Sequence, residues 1–319
     1  MRVGIAGTGK IIPEAVQAMK ETGIQVVTIW GRNPGKAAQC AQTLGIPAVS
    51  PSYDAMLESG IDFVYIGLVN SVHYEYAARA LRKGVNVLLE KPFCLTFEEA
   101  KSLSDLAREM GLYLFETISN LHLPNWEAVK DRIHEIAPVR FFKSDFSQYS
   151  SRYDAYLRGE VAPAFDPACG GGALTDLNVY NLHLAVDLLG RPESVEYRCN
   201  RGFNGVDTSG AVILQYPGCV ALCTAAKDSG GPSGVTIQGE NGWIRIEGIP
   251  STCPSVEISV RGKEPERFNL NRDWHRLCHE FEAFKKMFED GDYARMRALL
   301  TLNTLTVVDV LARCRTQSF

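Results

Sequence analysis

No apolar run in this chain approaches the roughly 20 residues that a helix needs to cross a bilayer, which argues against a membrane protein. No C-x-x-C pair occurs among its nine cysteines, at 40, 94, 169, 199, 219, 223, 253, 278 and 314. That removes the zinc-knuckle and dithiol-redox patterns, and no metal site is expected. An odd, scattered set suits reduced thiols in a cytoplasmic protein, several of them buried as small hydrophobes. Charge of one sign is scarce too. Lys and Arg number 33 against 37 Asp and Glu, a net −4 with no basic footprint for nucleic acid and no charged tail. Met1 leads straight into RVGIAG, which has the texture of structure rather than of a leader peptide. Internal repeats and low-complexity linkers are missing as well.

What is present is an ordinary globular composition, 45% hydrophobic and 22% charged over 319 residues, a length that favours two domains. The first 120 residues alternate short apolar runs with helical patterns. Strands are expected at 2–7, 25–31, 63–68, 86–91 and 113–118, with helices near 13–22, 34–44, 73–83 and 96–110. Thr96 followed by Glu99 forms a capping box, each side chain reaching the other's orphan amide. Continuous Val, Ile and Leu runs between helices predict a parallel sheet covered on both faces.

Beyond residue 120 the texture changes. A helix near 124–136 and a strand in VRFFKSDFSQYS precede a Gly-rich stretch and a helix over 173–189. Strand-like runs with short turns fill 193–268, which predicts an antiparallel sheet, and helices at 274–290 and 293–314 close the chain. The expected fold is α/β: a Rossmann dinucleotide-binding domain over 1–120, then an α+β domain over 121–319 with an open, mainly antiparallel sheet.

Three stretches carry chemistry. GIAGTGKII sets Gly7, Thr8, Gly9, Lys10 and Ile11 between a strand and a helix, where glycines let backbone approach a pyrophosphate; the alternative is a tight structural turn. The third glycine of G-x-G-x-x-G is replaced by Ile12, so helix–strand packing must differ. TIWGRNPGKA ends the second strand with Gly31 where NAD-selective folds carry an acid for the ribose hydroxyl. Arg32, Asn33 and Lys36 follow, two cations and no carboxylate, which suits a 2′-phosphate unless Arg32-Asn33-Pro34 is only a turn and helix start. NADP(H) is thus favoured, with NAD(H) as the alternative. Past the third strand, Leu68, Asn70 and His73 lie at the carboxyl edge where ligands collect in open sheets, although a lone His there is commonly a surface or cap residue.

The strand NVLLEKP ends on Glu90, Lys91 and Pro92, two full charges and a proline with no backbone donor. An ideal helix over 173–189 would place Asp176, Tyr180, His183 and Asp187 on one stripe beside an apolar one. That stripe either belongs to a site or faces water.

EKP at 90–92, GTGKI at 7–11 and GGGALTDLNVYNLH at 170–183 together resemble the Gfo/Idh/MocA oxidoreductases, in the branch that carries tyrosine (dihydrodiol dehydrogenase-like and glucose–fructose oxidoreductase-like). The likeness spans nearly the whole chain. It implies an NAD(P)-dependent enzyme acting on a sugar, polyol or related small carbonyl compound, with NADP(H) usual in the Tyr branch. It also implies a homodimer or higher homo-oligomer through the C-terminal sheet. Carried over by position, Lys91 matches the catalytic lysine, Asp176 the acidic residue of the Gly-rich helix, and Tyr180 the place where many members have His. Asn178 stands where many have Gly, and the loop commonly written T-P-N is Leu68-Val69-Asn70 here.

A tyrosine hydroxyl ordinarily titrates near 10, too high for a base at neutral pH, and an adjacent ammonium favours the tyrosinate. Tyr180 would then exchange the hydroxyl proton while Lys91 steadies the oxygen. Glu90 is grouped with the cofactor edge as a local partner, and a cis Lys91–Pro92 bond is one way for the turn to close. Asn120, with His122 as a further guess, would border the nicotinamide. His183, Gln148, Arg152 and Asp166 are substrate candidates on polarity, although surface salt bridges are the commoner fate of such an arginine. Two rival functions stay open: a trans-dihydrodiol or dicarbonyl reductase, and a dinucleotide or sugar sensor that has lost its chemistry.

Overall fold

The computed structural model describes residues 1–317; the last two positions of the expected 121–319 domain lie outside the described residues. The chain forms two compact units. The first comprises Met1–Ile118 together with Leu277–Leu305, and the second runs from Ser119 to Arg276 and resumes at Thr306.

In the first unit, strands β1 (Arg2–Ala6), β2 (Gln25–Trp30), β3 (Phe63–Ile66), β4 (Asn86–Glu90) and β5 (Leu114–Thr117) form a parallel sheet in the order β2-β1-β3-β4-β5. Residues of β3 and β5 are buried throughout, the signature of strands covered on both faces. Helices α1 (Ile11–Glu21), α2 (Pro34–Leu44), α3 (Tyr53–Leu57), α4 (His73–Arg82) and α5 (Phe97–Met110) follow the strands in turn. The Thr96–Glu99 capping box is present in both directions.

The first break falls at Ile118, beside the division expected at residue 120, and the first unit also takes in a later return of the chain. Of α9 (Arg276–Glu289), α10 (Tyr293–Ala298) and α11 (Leu305–Thr316), the stretch from Leu277 to Leu305 packs with the first unit. The reason is aromatic. Phe284 stacks on Phe115 at 4.4 Å, Phe288 meets Phe63 edge-on at 4.9 Å, and Phe281 meets Tyr65 at 6.1 Å. Such pairs add roughly 0.5–1.5 kcal/mol each beyond their burial. The helix expected as one piece over 293–314 is broken by a π-turn at Leu299–Thr304.

The second unit is an eight-stranded sheet, built of β6 (Val139–Ser147), β7 (Ser194–Arg201), β8 (Asp207–Tyr216), β9 (Cys219–Ala226), β10 (Gly234–Gly239), β11 (Gly242–Glu247), β12 (Ser255–Val260) and β13 (Glu266–Phe268). Its order is β13-β12-β11-β10-β6-β9-β8-β7, antiparallel except for the central β6–β9 pair. The helices α6 (Pro124–Arg132), α7 (Tyr153–Leu157) and α8 (Val179–Leu189) and, from Thr306 on, α11 accompany it. Phe142, Ala221, Val212 and Ile237 are wholly buried on the inner face, whereas Ile213 on the outer face is 39% exposed.

An apolar helix such as α8 could slide on an apolar sheet, and here polar bonds prevent it. Asn178 Nδ2 donates to Cys223 O at 3.0 Å, Asn181 Nδ2 to Thr224 O at 2.9 Å, and Ser144 Oγ to Asn181 Oδ1 at 2.6 Å. All three side chains are buried, where an unmade bond costs about 1–3 kcal/mol. Among the described residues no helix is long and apolar enough to cross a membrane.

Candidate active site

The dinucleotide edge of the first unit is shaped by two glycines. Gly7 ends β1 at φ +132°, and a Cβ there would lie 2.4 Å from Gly67 O, just past β3. Strand order reverses between these two strands, which is where ligands bind in open α/β sheets. Ile12, in place of a third glycine, is fully buried, and its Cδ1 occupies the space a Cβ on Gly67 would need. Helix α1 begins with Lys10 as N-cap and no side-chain cap bond; Ile12 N donates to Gly9 O at 3.1 Å, and Pro13 brings no N–H. Thr8 is half-buried, while Gly9 and Lys10 are exposed. Gly31 is buried against Thr8, and Arg32 and Lys36 are exposed with no carboxylate between them. These features fit a dinucleotide: a close backbone approach, a helix start with no side-chain cap and two cations beyond β2. Asn33 has a nearer task, since its side chain accepts from Lys36 N at 3.0 Å and caps α2.

The carboxyl ends of β3, β4 and β5 are tied together from within. Glu90 Oε1 accepts from Tyr65 OH at 2.6 Å and Thr117 Oγ1 at 2.8 Å, which satisfies a carboxylate only 9% exposed. His73 is completely buried, with Nδ1 3.0 Å from Pro92 O and Nε2 3.2 Å from Leu68 O. Burial holds its imidazole below the usual range, and the one N–H of the neutral ring donates to one of these two carbonyls, on the Leu68 loop or at the Lys91–Pro92 turn. Both ring nitrogens of His73 face carbonyls of the chain, at Pro92 and Leu68. Glu116 Oε1 accepts from Phe93 N at 3.0 Å and steadies the same turn. The Lys91–Pro92 bond is cis, and Lys91 is half-buried at the end of β4. Leu68 and Asn70 are half-buried on their loop.

In the second unit, the helix expected over 173–189 opens instead with a π-turn, Leu174–Asn178, before α8 begins. The extra residue breaks the ideal stripe, because the spacing assumed 3.6 residues per turn. Asp176 lies on the π-turn with its side chain 36% exposed and pairs with Lys227. Tyr180 is 6% exposed and packs on Phe146 at 5.8 Å; His183 is fully buried. Asp187 does not face water, as its Oδ2 accepts from Trp126 Nε1 at 2.8 Å and lies 3.2 Å from Lys130 Nζ. Asn120, expected at the nicotinamide, is fully buried and donates to Tyr180 O at 2.9 Å, holding the tyrosine's backbone. His122 is half-buried.

Of the substrate candidates, Gln148 is exposed and Arg152 half-buried at the start of α7. Asp166 is a cap, accepting from Ala168 N at 2.9 Å and from Cys169 Sγ at 3.4 Å. Two residues escaped the sequence reading. Asp207 Oδ2 accepts from Leu174 N at 2.6 Å and Tyr197 OH at 2.8 Å, and burial raises its carboxyl above the usual carboxylate range. Lys227 is its cationic neighbour. Neither stands in a recognisable motif; a lysine closing the apolar run CVALCTAAK was the single signal on offer.

Residues 1–117 match the oxidoreductase family with an NAD-binding Rossmann fold, and residues 126–245 match the Gfo/Idh/MocA C-terminal domain. A scyllo-inositol 2-dehydrogenase (NADP(+)) of Bacillus subtilis is 32% identical over 293 residues, covering 91% of this chain and 89% of that protein. A trans-1,2-dihydrobenzene-1,2-diol dehydrogenase of Xenopus tropicalis is 31% identical over 271 residues, 82% of this chain and 79% of its own. Among solved structures, a 3-ketoreductase of Actinomadura kijaniata in complex with NADP and TDP-benzene superposes with a TM-score of 0.85. It is 26% identical and covers 99% of this chain and 97% of that one. The chain belongs to the Gfo/Idh/MocA oxidoreductases. It is an NAD(P)-dependent dehydrogenase or reductase acting on CH–OH groups.

Proposed function

We propose that this enzyme uses NADP(H) to interconvert a secondary alcohol and a ketone on a sugar or polyol, with Lys91 and Tyr180 as the working pair. The observation that carries the cofactor preference is the end of β2, where Gly31 stands in place of an acid and Arg32 and Lys36 are exposed. A 2′-phosphate there would meet two cations, whereas an unphosphorylated ribose would find no carboxylate to accept from its hydroxyl. The printed activities of the relatives, an NADP-dependent inositol dehydrogenase and a 3-ketoreductase held with NADP, support the same reading.

Gly7, Thr8, Gly9, Lys10 and Ile11 would hold the pyrophosphate, with Leu68 and Asn70 along the neighbouring loop. When bound, the nicotinamide supplies the hydride acceptor or donor. The chain's own groups handle the proton and the charge. Tyr180 takes the hydroxyl proton on oxidation and returns it on reduction, and Lys91 stabilises the negative charge that develops on the same oxygen. Asp176 orients a substrate hydroxyl or the lysine. Asn120 keeps Tyr180 in place through its carbonyl, and His73 and Glu90 brace the turn from which Lys91 projects.

A second copy of the chain would cover the outer face of the large sheet, where Ile213 is exposed beside Val220 and Leu222. All nine cysteines are free, which supports a reducing, cytoplasmic setting.

The test is a panel of sugars, polyols, trans-dihydrodiols and dicarbonyls, run with NADP(H) and NAD(H) in parallel and read by nicotinamide absorbance. Turnover of a polyol or sugar with NADP preferred is expected. Clear NAD preference contradicts the role of Arg32. A dihydrodiol or dicarbonyl as the best substrate would favour the xenobiotic reductase, the reading supported by the Xenopus relative. Cofactor binding without any turnover would point to a sensor.

A further inference from the structure

Lys227 follows directly on β9, and its side chain is 2% exposed. Its ammonium donates to Ala164 O at 2.6 Å, pairs with Asp176 Oδ2 at 2.9 Å, and lies 4.3 Å from the centre of the Phe165 ring. Ala164 and Phe165 form the short 3-10 turn Pro163–Phe165, upstream of the Gly-rich run, and Asp176 sits on the π-turn downstream of it. One cation therefore spans both sides of the glycines. On the other flank a Cβ on Gly172, at φ +125°, would fall 2.0 Å from Asp207 Oδ1, and Asp207 receives the amide of Leu174.

Removing an ammonium from water costs several kcal/mol even after relaxation, so it is sustained only by close partners. The pair is asymmetric. Asp176 has 36% of its side chain in contact with solvent and would stay hydrated without the lysine, whereas Lys227 has no such recourse. The carboxylate gains little solvation from the contact, but it gains a fixed direction. A π-turn, with its looser hydrogen bonding, is the kind of backbone that needs such a hold.

We propose that Lys227 is a positioning residue for the reaction: it holds the Asp176 carboxylate in one orientation, and through Ala164 it locks the approach to the Gly-rich run in the matching arrangement. This rests on the role of Asp176 given above.

The experiment compares wild type, Lys227→Met, Lys227→Gln, Asp176→Asn and the Lys227→Met/Asp176→Asn double variant in the full chain. Each is assayed on the best substrate of the panel, with NADPH affinity measured by fluorescence and folding by thermal melting. For Lys227→Met we expect kcat to fall on the order of 10²-fold, the loss typical of a misplaced reacting group, with NADPH affinity within twofold. In the Asp176→Asn background the same change should cost less than threefold. Full additivity, or wild-type kcat in Lys227→Met, overturns the proposal. Lys227→Gln keeps a donor for Ala164 and removes the charge, so it carries the test if the methionine variant melts early; near-wild-type kcat in a folded glutamine variant would equally contradict it. Wild-type activity in Asp176→Asn instead contradicts the role of Asp176. A side-chain ¹⁵Nζ resonance of Lys227 needs no substrate: it should shift in Asp176→Asn, and an unmoved signal refutes the pair.

Discussion

The two units treat charge at their functional edges in opposite ways. In the first, Lys10, Arg32 and Lys36 stand exposed around a backbone turn fixed by Gly7 at φ +132°, and the buried groups that brace its strand ends are His73 and the carboxylate of Glu90. In the second, the cation itself is inside, with Lys227 2% exposed between a carbonyl, a ring and a carboxylate. Exposed cations attract a phosphate through a screened field and tolerate some motion. A buried ion pair holds one geometry and loses much when either member is removed. The first arrangement suits binding, the second suits orientation of a reacting group.

Substitutions that strike one edge alone should separate these two roles. The largest effect is expected from Gly7→Val, which adds a branched side chain where even a Cβ lies 2.4 Å from Gly67 O on a backbone that L residues rarely adopt. A stability loss of about 3 kcal/mol, from strain plus overpacking, and loss of NADPH binding should appear in denaturant melts and fluorescence titration. Gly172→Ala strikes the other edge, toward Asp207. It should lower kcat by about tenfold or more with NADPH affinity kept, and a change in affinity alone would blur the division between the units.

Arg32→Ala with Lys36→Ala should raise the KM for NADP by roughly 10-fold, the loss of about 1.5 kcal/mol of charge-assisted bonding, and leave NAD kinetics unchanged. The neutral state of His73 has a pH consequence. Burial depresses its folded value below the ordinary 6.5, so its contribution to stability is complete above 6.5 and is lost as pH falls through the lower folded value. Unfolding free energies measured downward from pH 7 should decline more steeply in wild type than in His73→Asn, by at most about 1.4 kcal/mol per pH unit. Smallest is Thr96→Ala, which removes half of the capping box of α5 and should cost about 1 kcal/mol with kinetics unaltered.

Local rules were the legible ones. The Thr96 box, the Pro34 start of α2 behind its Asn33 cap and the buried strands of the first sheet all follow from near neighbours in sequence. The Gly7 turn was legible for the same reason. Three features depend on distant partners and were not. An amphipathic pattern over 274–290 announces an apolar face but not which sheet it covers, and Phe281, Phe284 and Phe288 chose the first. Helical spacing assumes regular turns, so the π-turn carrying Asp176 displaced the expected stripe and left Asp187 on Trp126. Lys227 reaches Asp176 across 51 positions of chain, a pairing that no spacing in the sequence could signal.

The central claim is that Lys91 and Tyr180 perform proton transfer and charge stabilisation rather than binding. Its most direct test is kcat beside NADPH affinity for Lys91→Ala and Tyr180→Phe on the best substrate. A fall in kcat of about 10²–10⁴-fold in each, with NADPH affinity within a few-fold of wild type, is the predicted result. Near-wild-type kcat in either variant, with the cofactor still bound, would contradict it.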